Sequence, residues 1–153
     1  MAYFQLADPS RSFIIGGYTA GVATIKTGLL VVSDTVNALT LAGTTDKPDG
    51  FALANRTNVY APTALTLDVG EYASVIQGHV LAYVDSAFFY GASLPAVNGT
   101  IWTSPNGLMS ATDVGSAVKL GKCVKLSDYR TPPNSVSNIV CVELELGGKE
   151  MVR

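Results

Sequence analysis

Apolar and polar residues change places along this chain at short intervals, in runs too brief for helices and rich in β-branched residues. Val22-Ala23-Thr24-Ile25-Lys26, Leu29-Leu30-Val31-Val32 and Val36-Asn37-Ala38-Leu39-Thr40-Leu41 are of strand length. The cluster Asp46-Lys47-Pro48-Asp49-Gly50 then predicts a reversal, since Pro presets φ and Gly admits positive φ. Phe51-Ala52-Leu53-Ala54 and the alternating Leu65-Thr66-Leu67-Asp68-Val69 follow as strands. Tyr72 to Val84 is the longest strand-like stretch, and Gly78-His79 inside it marks a bulge or bend. In the last third, Ile101-Trp102-Thr103 and Leu108-Met109 flank Pro105-Asn106-Gly107, a hairpin signal. Residues 117–126 and 136–146 are two further strands, separated by a loop that carries Pro132-Pro133. Only residues 85–91 suggest a short helix. Short strands punctuated by Gly, Pro and Asn predict an all-β fold, a small barrel or a sandwich.

Residues 1–21 differ from the rest. Tyr3, Phe4, Phe13 and Tyr18 are broken by Asp8-Pro9 and followed by Gly16, Gly17 and Gly21. This composition suits an extended N-terminal arm, leaving residues 22–153 as the β domain. In that reading Tyr3, Phe4 and Phe13 are apolar anchors on a partner, Arg11 pairs with a partner carboxylate, and removing residues 1–13 leaves a folded core. The other reading makes Phe13-Ile14-Ile15 the first strand of the core.

The last two long strands match when placed antiparallel with Leu120 opposite Leu144. Val118 then meets Leu146, Val124 meets Val140, Lys119 meets Glu145 and Cys123 meets Cys141. Apolar residues thus face apolar ones, and the charge pair adds about 0.2–1 kcal/mol.

Composition narrows the function. Hydrophobic residues make up 48% of the 153 residues and charged ones 14%, well below the ~25% usual in soluble domains. So little charge leaves much uncharged surface, a trait of subunits that associate. The net charge is −2 with no basic block, which argues against nucleic acid as a partner. No apolar run approaches the ~20 residues of a membrane-spanning helix. Met1 to Pro9 lacks the basic and long apolar regions of a secretory signal, so the expectation is synthesis in a cytoplasm, with both cysteines as thiols.

The chemistry of catalysis is sparse. His79 is the one histidine, set in an apolar strand with no acid near it in sequence, and a structural role is expected of it. There is no Gly-x-Ser-x-Gly elbow, no phosphate-binding loop and no metal-ligand spacing. The expectation is a protein that is not an enzyme, with no cofactor and no metal. Pro48-Asp49-Gly50-Phe51 and Ser127-Asp128-Tyr129-Arg130 faintly resemble two motifs of trimeric dUTPases, but that family keeps them close together, and its glycine-rich C-terminal phosphate motif is missing here.

A broader resemblance runs from about Val22 to Leu126. It is carried by Thr27-Gly28-Leu29-Leu30-Val31, Pro48-Asp49-Gly50-Phe51-Ala52, Val75 with Gly78-His79-Val80, Gly99-Thr100-Ile101-Trp102, Asn106-Gly107-Leu108-Met109 and Val118-Lys119-Leu120-Gly121-Lys122. These segments resemble the strands and turns of small head decoration, or cement, proteins of tailed bacteriophages. The resemblance implies a β-barrel-like module, commonly a homotrimer. It implies a module that sits on the capsid surface of the virion, binds the major capsid protein and stabilises the shell. Residues after Leu126 have no counterpart in that pattern. The alternatives are a structural tail or fibre module and a carbohydrate-binding β domain, for which Trp102 beside the Asn106 turn is the candidate sugar platform.

Overall fold

The structure is a computed structural model that describes residues 3–8, 12–55, 66–125 and 139–147. The fold is all-β. Its strands are β1 (Phe4–Asp8), β2 (Ser12–Ala20), β3 (Leu30–Ser33), β4 (Ala38–Leu41), β5 (Gly50–Ala54), β6 (Tyr72–Asp85), β7 (Thr100–Thr103), β8 (Met109–Ser110), β9 (Lys119–Val124) and β10 (Ile139–Leu146). Strands β2, β4, β3, β5 and β6 pair in that order, and β2 returns to β6, which closes a five-stranded barrel. The sheet continues past β6 through β10, β9, β7 and β8 as a wing. The expected hairpin is present, with Trp102 opposite Ser110 and Thr103 opposite Met109. The short helix expected over residues 85–91 appears as two single 3₁₀ turns, Ser86–Phe88 and Tyr90–Ala92.

The barrel lumen explains the run of alanines. Ala20, Val31, Leu39, Ala52, Ala54, Ala73 and Val75 form one buried cluster, drawn from all five barrel strands. A five-stranded barrel is narrow, and small side chains fill it. The alternate residues Phe51, Leu53 and Ile76 point the other way, into a larger core shared with the wing residues Ile101, Leu120, Val142 and Leu144.

Strand β6 organises the molecule because it belongs to both parts. Along one edge it pairs with β1 from Val84 to Leu81 and with β2 from Gly78 to Tyr72. Along the other it pairs with β10 from Asp85 to Gly78 and with β5 from Ile76 to Ala73. Gly78 sits where these partners change over, with φ +90. Glycine admits that positive φ within the strand.

The segment expected to be a free arm is therefore two strands of the sheet. Phe4 is fully buried, edge-to-face against Phe51 at 5.1 Å and Phe88 at 6.1 Å between ring centroids. Gly28, with φ +98, makes room for it: a Cβ there would come within 2.8 Å of both the Phe4 and Phe88 rings. Tyr3 points to the opposite face, where its hydroxyl donates to Gln5 Oε1 at 2.7 Å. Both residues spend their apolar surface on their own chain, and deletion of residues 1–13 removes core rather than an appendage.

The register expected for the last strands is off by one residue. Cys141 pairs with Val124, Val142 with Cys123, Glu143 with Lys122 and Leu144 with Gly121. The cause is a bulge in β9: Ile101 pairs with Gly121 but Trp102 with Lys119, so Leu120 is an extra residue. Leu120 and Cys123 both enter the core, which strict alternation forbids. Past the bulge every side chain changes face relative to the expectation. Cys123 and Cys141 consequently lie on opposite faces rather than opposite each other.

Both thiols are buried and free. Burial, with smaller contributions from Cys123 and Glu143, pushes the Cys141 thiol up from 9.0 to about 12. A thiol whose folded value is raised stabilises the fold below its unfolded value, and that contribution is lost as pH climbs from about 9 towards 12. Stability measured by urea titration should accordingly fall between those values. A thiol reagent at neutral pH should label neither cysteine until the protein is denatured.

Candidate functional site

Two surface features stand out: a charged groove across the wing and an apolar strip along β2. The groove follows from register. Pairing of Glu145 with His79 and of Glu143 with Lys122 puts these side chains on one face, and Thr100 opposite Lys122 carries the row on to β7. The row lines an open groove of about 410 Å³, bordered also by Asn98 and Lys119.

His79 is clamped at its centre. Its Nδ1 lies 2.7 Å from Glu145 Oε1 and its Nε2 lies 2.9 Å from Glu143 Oε2. Both ring nitrogens can donate only in the imidazolium form, whereas the neutral ring donates from one of them. Each ring nitrogen thus has a carboxylate beside it, and the two contacts fix the orientation of the ring. The two carboxylates approach from opposite sides of the ring, so they do not converge on one point as metal ligands would. Among the described residues no group of three or more His, Cys, Asp or Glu side chains is placed to hold a metal ion. Glu143 also faces Lys122 Nζ at 4.0 Å. Glu145 and Lys122 are largely exposed, and solvent-screened pairs of this kind contribute about 0–1 kcal/mol each.

The acids of this clamp lie far from His79 in sequence, and that is why the chain alone did not reveal them. The available signal was the alternation in Ile139–Leu146, which places Glu143 and Glu145 on one face. It could not say that β6 would be the neighbour.

The apolar strip contains one residue the sequence singled out. Phe13 is 49% exposed, and Ile14 and Ile15 beside it are 47% and 40% exposed. The other three proposed partner-binding residues do not join it. Tyr3 and Phe4 are buried, and Arg11 lies outside the described residues. Sequence reasoning missed the rest of the strip. Val36, Val69 and Tyr72 are exposed at the barrel end of β2. Their turns and strand are tied to it by Thr19 N–H to Asn37 O, Gly70 N–H to Ala20 O and the pairing of Thr19 with Tyr72. Six of the eight large hydrophobic residues most exposed among those described therefore follow one strand.

No protein-family model and no curated protein sequence matches the chain.

Proposed function

We propose that the chain is a non-catalytic structural module of a multi-copy assembly, and that it decorates the outside of a tailed-phage head. The observation that carries this reading is the strip along β2. Large exposed apolar side chains gathered along one strand of a chain this poor in charge are what an associating subunit presents. The resemblance of the strand and turn motifs to head decoration proteins supplies the particular assembly, with the major capsid protein as partner. Weak contacts repeated over a symmetric shell add up by avidity, so no single deep site is required.

The test is co-sedimentation of the purified chain with tailed-phage heads that lack their decoration protein, followed by thermal disruption of the heads. Saturable binding at a fixed copy number, with heads that break at higher temperature, is the expected result. A chain that stays in the supernatant at every concentration overturns the reading.

The groove favours one competitor, a carbohydrate-binding domain, since Asn98, Thr100, Lys119 and Glu143 are hydrogen-bonding side chains around a shallow depression. Trp102, the expected stacking platform, is half-buried and does not line it. A glycan array separates the two readings.

A further inference from the structure

Strand β2 has two edges, and one of them is unused over part of its length. The first pairs with β6 from Ser12 to Thr19. The second meets β4 only at Thr19 and Ala20. From Phe13 to Gly17 it faces no partner strand among the described residues. Side chains alternate between the two faces of a strand, so three exposed in succession means that neither face is covered here either.

Soluble proteins guard such edges with Lys, Pro, inward charges or a bulge. No charged residue and no proline occurs between Ser12 and Ile25, and the bulge of β2 falls after Ile15, so Phe13 to Ile15 carry no such guard. An unguarded apolar edge is built to be covered, and the features of this one indicate by what.

We propose that the edge pairs antiparallel with the same edge of a second copy, about a two-fold axis beside Ile14. Ile14 then faces the partner's Ile14, while Phe13 faces the partner's Ile15 and Ile15 faces the partner's Phe13. The run Phe-Ile-Ile is self-complementary in this register, and aromatic residues opposite β-branched ones are favourable cross-strand pairs. Gly16 and Gly17 follow with no side chain to obstruct the incoming strand, and a Cβ at Gly17 would meet nothing within 4 Å.

Charge selects the antiparallel arrangement. The barrel end of the strip is acidic, with Asp34 in the turn beside Asn37 and Asp68 in the turn that Gly70 ties to Ala20. About 17 Å of strand separates Ile14 from Thr19, at ~3.4 Å per residue. A two-fold at Ile14 holds the acidic ends of the two copies on the order of 30 Å apart, several times the ~8 Å screening length of physiological salt. Parallel pairing, or three strips packed around a common axis, would bring them together. The closed contact is isologous, so it ends at two copies.

This inference rests on the reading of the chain as an assembly component, yet it replaces the trimer that the resemblance implies. Light scattering on the full chain at micromolar concentration should give twice the 16.0 kDa chain mass. Ile14→Asp should raise the dimer dissociation constant about a hundredfold or more, since each copy exchanges a covered Ile for a carboxylate facing its symmetry mate. Its melting as a monomer should be unchanged. Ile14→Cys should form an intermolecular disulfide on mild oxidation, whereas Val69→Cys, at the far end, should not. A monomeric or trimeric wild-type protein overturns the proposal, as does a dimer indifferent to Ile14→Asp that fails to cross-link through Ile14→Cys. Head co-sedimentation distinguishes the two readings. A dimer that obeys these variants but ignores phage heads leaves the edge standing and sinks the decoration role. A monomer whose head binding is abolished by Ile14→Asp assigns the edge to the shell instead, and the two-fold is wrong.

Discussion

Replacing Phe4 with alanine should lower the unfolding free energy by about 3–5 kcal/mol, a large share of the ~5–15 kcal/mol available to a domain of this size. The ring is fully buried between Phe51 and Phe88 and over Gly28, so its removal leaves a cavity bounded by two other rigid rings. The neighbours cannot collapse into it easily, because Phe51 is held in β5 and Phe88 in a 3₁₀ turn. Phe13→Ala makes the contrast, since its ring stands half in solvent on the same β1–β2 segment. Its effect on the stability of the monomer, measured in the Ile14→Asp background, should stay within about 0.5 kcal/mol. Urea titrations of the two variants side by side test the placement of the N-terminal residues. Equal, small effects would mean that Phe4 lies outside the core.

Gly121→Ala is expected to be similarly damaging for a different reason. Gly121 follows the β9 bulge and faces Leu144, and a methyl group there would collide with the Glu143 carbonyl and crowd the Leu144 Cα. Both obstacles are backbone, so relief requires β9 to part from β10. About 3 kcal/mol is the expected loss, at the upper end for overpacking. The separation would also pull Lys122 from Glu143 and disturb the groove around His79. Loss of dispersion in the amide spectrum of β9 and β10, while the barrel signals persist, would locate the damage. A variant as stable as the parent would place the strands farther apart than described.

What could be read from the chain depended on how local each determinant is. Tyr72–Asp85 declares itself as a strand because fourteen consecutive residues carry the β pattern. The Asn106-Gly107 turn needs positive φ at both positions, 63° and 73°, and those residue types supply it. Phe4 was ambiguous for a physical reason. An aromatic residue near a terminus has the same composition whether it anchors to a neighbour or to its own core. The choice was made by Gly28 and Phe88, which the chain brings beside it only on folding. Leu120 misled in a related way: a bulge inserts one residue without altering the residue types, so alternation assigned it correctly and everything after it to the wrong face. The candidate sites divide along the same line. Phe13 was legible because its exposure follows from an uncharged, glycine-flanked edge. The clamp on His79 joins residues from β6 and β10 and has no local signature.

The double role of β6 has a consequence for how the chain comes into being. Its partners include residues 4–19, made long before it, and residues 139–146, made long after it. During synthesis at ~5–20 residues per second, the edge of β6 destined for β10 stays bare for several seconds after β6 itself emerges. Helix-rich chains settle local contacts as they appear, but here the defining contacts join distant parts of the chain and wait for loop closure. The barrel half can close early, since β2 through β6 are contiguous. The wing half cannot. A nascent chain paused before Ile139 therefore exposes Val80, Ala82 and Val84 as a vacant apolar edge, which makes that interval the point at which newly made copies are most prone to aggregate.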